Sequence, residues 1–77
     1  PATPPPALPV TGAAGLGALL RQRRKLRGLT QQQLADLAGL GRRFVSELEA
    51  GKSTLEFDRV VQCCAALGID LLARSRS

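Results

Sequence analysis

The stretch from Thr30 to Lys52, TQQQLADLAGLGRRFVSELEAGK, decides the fold. Thr30 precedes a run with apolar positions at helical spacing, and Gln33 follows three residues later. That is the T-x-x-Q capping box, in which two backbone donors at a helix start are satisfied reciprocally. A helix is expected over Gln31 to Ala38, with Leu34, Ala35 and Ala38 facing in. Gly39-Leu40-Gly41 breaks it, with Leu40 placed to plug the core. A further helix is expected from Arg42 to about Ala50, with Val45 and Leu48 inward, and Gly51 stops it. Two short helices joined by a three- or four-residue turn containing glycine form the helix-turn-helix pattern. In that pattern the second helix enters the major groove with its N-terminal residues at base edges. Here those residues are Arg42 and Arg43. Arginine donates two hydrogen bonds to guanine O6 and N7. The start of the first helix sets Gln31 beside unpaired backbone N–H groups, a phosphate anchor.

On the N-terminal side, a first helix is expected from Thr11–Ala14 to about Arg27, with Leu16, Leu19, Leu20 and Leu26 on one face and Gly28 as its stop. On the C-terminal side, Thr54 is the candidate cap of a fourth helix, roughly Glu56 to Leu67. Its inward positions are Val60, Val61, Cys64 and Leu67. Asp58 suits the positive end of its dipole, and Gly68 ends it. Residues 69–73 begin with period-2 alternation, and a lone strand needs a partner. The same strand of a second copy would supply one. The fold class is therefore all-α, four helices with a short C-terminal β-strand that pairs in a dimer. Residues 1–10 hold all five prolines and read as an extended arm, 11–68 as the helical domain, and 69–77 as a dimerisation strand with a frayed tail.

The charge is uneven. Eleven Lys and Arg face six Asp and Glu, and Arg21, Arg23, Arg24, Lys25 and Arg27 fall within one short run. Phosphate is the natural partner of such a surface, although Arg21, Arg23, Lys25 and Arg27 can equally be the wet face of the first helix. There is no membrane-length apolar stretch. Adjacent Cys63 and Cys64 point in different directions and do not suit a disulfide. They read as small apolar filler in a reducing compartment, the cytosol, with redox sensing as the alternative. The first residues lack the basic-then-apolar order of a signal peptide. With no His and no Tyr, no metal cluster and no phosphate-cradling glycine loop, neither catalysis nor a cofactor is expected.

The residues Thr30-Gln31-Gln32-Gln33-Leu34-Ala35-Asp36-Leu37-Ala38-Gly39 and Val45-Ser46-Glu47-Leu48-Glu49-Ala50-Gly51-Lys52 resemble the T-Q-x-x-L-A-x-x-A-G … I/V-S-x-x-E-x-G-K signature of lambda-repressor-like (Xre-type) helix-turn-helix proteins. The likeness spans about Leu16 to Gly68. Within that superfamily RRFVSELEAGKST, with a short helix and a terminal strand after it, is most similar to HipB-type antitoxins. Those are autorepressors encoded beside a HipA-like Ser/Thr kinase toxin.

The resemblance implies roles. Arg42, Arg43, Ser46 and Glu47 fall at base-contacting positions. Gln31 and Lys52 fall at DNA-backbone positions, and Arg23 of the basic run is a further candidate for backbone contact. Arg24 and Glu49 match a partly buried structural ion pair. Ile69, Leu71 and Leu72 would pair across a two-fold axis. The implied partners are palindromic operator DNA, a second copy of the chain and a HipA-like kinase, with the nucleoid as the place of work.

Two positions depart from the pattern. Gly41 stands where many relatives carry a Ser or Thr cap, and glycine costs only a few tenths of a kcal/mol there. Glu47 is acidic at a DNA-facing position. It either accepts from cytosine N4 or bridges Arg43 at i to i+4 and holds it ready. Phe44 lies off the Val45/Leu48 face and can meet a thymine methyl, a partner subunit or the preceding helix. A fifth helix, which many of these repressors use to dimerise, is missing from the pattern.

Overall fold

The computed structural model describes residues 7–76. Four helices follow in order: α1 (Ala13–Leu26), α2 (Gln31–Ala38), α3 (Arg42–Glu49) and α4 (Phe57–Ala66). Residues 1–6 of the proline arm lie outside the described residues, and 7–10 are exposed and in no helix.

The stretch that decides the fold forms as its chemistry dictates. Thr30 Oγ1 accepts from the Gln33 N–H at 3.0 Å, and Gln33 Oε1 accepts from the Thr30 N–H at 2.8 Å. The capping box therefore sets the start of α2. Its end is set by Gly39 at φ 71°, a left-handed conformation that only glycine adopts without a steric cost. This turns the chain so that the Leu40 N–H reaches back to the Ala35 carbonyl at 2.9 Å. Leu40 and Phe44 then pack onto the core, both partly buried.

The core is Leu16 and Leu20 from α1, Leu34 and Ala35 from α2, Val45 and Leu48 from α3, and Val60, Cys63 and Cys64 from α4, with Leu67 closing it. Two inward faces differ from expectation. On α1 the buried stripe is Leu16, Gly17, Leu20 and Arg24, whereas Leu26 is 70% exposed and Leu19 half-buried. A polar residue takes the position one turn after Leu20; Leu26, six residues on, points away at 3.6 residues per turn. On α4 the stripe is Val60, Cys63, Cys64 and Leu67, with steps of three, four and seven, and Val61 falls beside it, 38% exposed. The start of α4 also differs. Glu56 is the N-cap, in extended backbone and without a side-chain cap bond, and Thr54 is an exposed loop residue two positions earlier.

No strand forms among the described residues. Ile69 packs against the core and its N–H bonds the Cys64 carbonyl at 2.9 Å, while Leu71 and Leu72 are exposed. Residues 70–76 form neither helix nor strand, and a lone strand would need a partner that no described residue of the same copy supplies.

Helix α1 meets α3 at Gly17. A Cβ there would run into the carbonyl oxygen of Leu48 and lie 3.1 Å from that of Glu49. Backbone cannot yield as a side-chain tip does. Gly17→Ala should therefore destabilise the protein by about 1–3 kcal/mol through overpacking, read as a lower urea midpoint with unchanged slope, although alanine is the better helix former in isolation.

Candidate nucleic-acid interface

Polar side chains near α3 fall into two groups, one buried and one exposed. The buried group centres on Glu49, whose side chain is 3% exposed, and Arg24, 10% exposed. Arg24 Nε donates to Glu49 Oε2 at 2.7 Å and its Nη2 donates to Oε1 at 2.9 Å, a two-pronged pair. Arg24 Nη1 donates to the Leu29 carbonyl at 2.8 Å, and Gln31 Nε2 donates to Glu49 Oε1 at 3.2 Å. Four points of the chain meet here: the end of α1, the α1–α2 loop, the start of α2 and the end of α3. Burial alone pushes the Glu49 carboxyl up. The hydrogen bonds from Arg24 and Gln31 and the charges of Arg24 and Arg21 outweigh it, and the group lies below its ordinary value. Arg24 is raised in turn by its bond to Glu49. The ion pair expected for these two residues is present, with Gln31 as a further member. Gln31 thus turns its side chain inward onto Glu49, while the Gln33 N–H at the same helix start is taken by Thr30 Oγ1.

The exposed group runs along α3. Arg42 and Arg43 stand at its front, both exposed, with no hydrogen bond to either among the described residues. Gly41 caps α3 in extended backbone with no side-chain bond. Ser46 is half-buried behind them. Glu47, on the same face as Arg43, has its Oε2 4.0 Å from Arg43 Nε and 2.8 Å from Lys52 Nζ. Its main partner is Lys52, a pairing that the i to i+4 reading missed. The pair exists because Gly51, at φ 87°, folds the chain back over the helix end, where the Lys52 N–H bonds the Glu47 carbonyl at 3.1 Å. The Lys52 bond, ahead of the Arg43 charge, holds the Glu47 carboxyl below its usual value. Lys52 accordingly gives its ammonium to Glu47 rather than standing alone. Arg23 is exposed on α1, beyond this cluster. Ile69, Leu71 and Leu72 lie in the tail and take no part in it.

The helix-turn-helix profile matches residues 20–73. The chain belongs to the lambda-repressor-like helix-turn-helix family. It is 48% identical over 62 residues to the uncharacterized HTH-type transcriptional regulator y4mF of Sinorhizobium fredii, covering 78% of this chain and 82% of that protein. The restriction-modification controller protein C.AhdI from Aeromonas hydrophila superposes with a TM-score of 0.66 at 33% identity, over 75% of this chain and 84% of that one. The hypothetical transcription factor NHTF from Neisseria superposes with a TM-score of 0.69 at 31% identity, over 88% and 80% of the two chains. As a helix-turn-helix protein this chain carries a DNA-binding fold, and no helix among the described residues is long and apolar enough to cross a membrane.

The remaining network has small parts that the sequence hid. Gln62 of α4 donates to the Ala38 carbonyl at the end of α2. Burial pushes the Cys63 thiol up to about 11, with Cys64 and Glu49 adding to it, so it stays protonated at neutral pH. A buried, protonated thiol packs as a small apolar group, because the thiolate is the reactive form.

The buried pair makes a stability prediction. Glu49→Ala leaves Arg24 charged and unpaired, and should cost about 3–5 kcal/mol. Because the Glu49 pKa is lowered by folding, its contribution is present above the unfolded value of about 4.3 and is lost as pH falls through the lower folded value. Urea titrations between neutral and acid pH should show the wild type losing stability over that window and Glu49→Ala losing less. Parallel curves for the two would contradict the pairing.

Proposed function

We propose that this protein is a sequence-specific transcriptional repressor that binds palindromic operator DNA as a homodimer. The observation that carries the reading is the pair of exposed arginines, Arg42 and Arg43, at the front of a helix whose far end is fastened by the Glu49–Arg24 pair. Such a helix can be laid in the major groove without its readers being consumed by internal bonds. Ser46 lies behind them on α3. The first turn of α2, with Arg23 and the net charge of +5, supplies phosphate contact. Two copies would place their α3 helices on half-sites about one helical turn, roughly 10 bp, apart or a multiple of it. Repression follows from covering promoter DNA, which puts the working protein on the nucleoid.

Residues 69–73 are the dimerisation element of this reading. Leu71 and Leu72 are exposed, and pairing with the same segment of a second copy would cover them. The finer reading is an antitoxin that represses its own operon and neutralises a HipA-like Ser/Thr kinase. It rests on the likeness of RRFVSELEAGKST to HipB-type proteins. A stand-alone repressor is the alternative, and a kinase-like protein encoded by the neighbouring reading frame and co-purifying with this chain separates the two.

Arg42→Ala or Arg43→Ala should each cost about 1–3 kcal/mol at one base position and relax specificity there. Equal weakening on every DNA sequence would leave phosphate contact and remove base reading. For the dimer, the cut should spare Ile69, which packs on the core. Deleting residues 70–77 should give monomers by light scattering and weaken operator binding, and a truncated protein that remains dimeric would overturn strand pairing.

A further inference from the structure

An acidic side chain on a surface meant for a polyanion is the least expected feature of α3. Glu47 is tied on one side only. Its Oε2 holds Lys52 Nζ at 2.8 Å and faces Arg43 Nε at 4.0 Å, whereas its Oε1 accepts no hydrogen bond among the described residues. The side chain is 29% exposed, so the carboxylate is partly fixed by its surroundings and still reachable. Lys52 is itself fastened twice to Glu47, by its side chain and by its backbone N–H on the Glu47 carbonyl. The two cations and one carboxylate leave this cluster net positive, so the acid can approach DNA with its charge offset by a neighbour rather than bare.

A carboxylate in that state has one chemical preference. It accepts hydrogen bonds and cannot donate. In the major groove, cytosine offers the N4 amino donor and adenine the N6 amino donor beside its N7 acceptor, whereas guanine shows the O6 and N7 acceptors and thymine O4 and a methyl. We propose that Glu47 is a specificity-determining residue: with Oε2 held by Lys52, its open Oε1 accepts from a base amino group, cytosine N4 above all, and repels the bases that present only acceptors there. This rests on the reading of α3 as the helix that enters the groove. Glu47 would also lower binding to random DNA, because it keeps Lys52 from the phosphates, and it would raise discrimination by the same act.

Selection of bound sequences from a pool of randomised duplexes, with wild type, Glu47→Gln, Lys52→Ala and Arg43→Ala in parallel, tests this. Thermal melting of each variant checks that it is folded. Wild type should enrich cytosine at one position of each half-site. Glu47→Gln should lose that preference or move it to adenine, which glutamine contacts at N6 and N7, with discrimination at that position changed about 5- to 150-fold. It should bind random DNA more tightly, and its plot of log K against log salt should be steeper by about 0.9, the value for one more phosphate contact. Lys52→Ala should bind all sequences more weakly and keep the cytosine preference. If Glu47→Gln enriches the same motif with the same selectivity while Arg43→Ala changes it, the role of Glu47 is overturned and base reading by α3 stands. If wild type enriches no motif at all, base reading by α3 falls and this role with it.

Discussion

The buried contact of Arg24 with Glu49 is the constraint on which the arrangement of the helices depends. A small chain has little apolar area with which to define helix angles. Here one guanidinium reaches the α3 carboxylate through two nitrogens and the α1–α2 loop through a third, and Gln31 adds the first turn of α2. A buried ion pair is weak evidence for net stability, since desolvation can exceed the attraction. Its geometric effect is firmer. The pair is directional, whereas Leu16, Leu20, Leu34 and Leu48 would tolerate small rotations of α3 against α1. Every buried side-chain donor and acceptor among the described residues has a partner, so the node carries no unpaired group that would favour another packing. Because Glu49 is the last residue of α3, fastening it fixes where Arg42 and Arg43 stand at the other end.

The two ends of α3 then have opposite characters. At the front, Gly41 has no side chain with which to cap, and the first residues are two exposed arginines, Arg43 in only a long 4.0 Å contact with Glu47. At the rear, Gly51 reverses the chain and brings Lys52 back onto Glu47. Cationic charge is thus available at one end and held by an internal carboxylate at the other. Association with any DNA draws on the first kind of charge, and an internally paired cation adds little to it until its partner finds another donor. Two cations of different availability therefore lie along one helix, Arg42 open at its front and Lys52 tied at its rear.

How much of this was legible in the sequence follows from the range of each interaction. The capping box at Thr30 and Gln33, the turn at Gly39 and the inward set Leu34, Ala35, Val45 and Leu48 are local, and local spacing reads them. Hydrophobicity alone misplaces two helix faces. Leu26 and Val61 are apolar but lie off their stripes, and Arg24 and Cys63 occupy positions where Leu and Val were expected. The Arg24–Glu49 pair, 25 residues apart, was reachable only through likeness to a family, because nothing in the spacing of those residues brings them together. Gln31 turned inward for the same reason. The Glu47–Lys52 pair depends on a left-handed turn between its members, so helical i to i+4 counting finds the longer Arg43 contact and not the shorter one from Lys52. Gly17 gave no signal, since the need for a missing Cβ appears only when a second backbone lies against it.

Helix α4 completes this logic although none of its residues belongs to the α3 surface. It presses Cys63 and Cys64, both fully buried, into the core between the other helices. Each is larger than alanine and smaller than leucine, and their raised pKa values leave them as neutral packing groups. Between Phe57 and Ala66 it also carries Gln62, whose amide holds the last carbonyl of α2 at the point where Gly39 turns. That carbonyl is one of the four a helix end leaves without an internal partner. Tying it from outside stiffens the turn, and the turn sets the angle between α2 and α3. Glu49 anchors α3 at its far end and Gln62 steadies the turn before its near end. With both ends held from within the domain, a side-chain change at the front of α3 can alter the exposed surface there without altering where the helix lies.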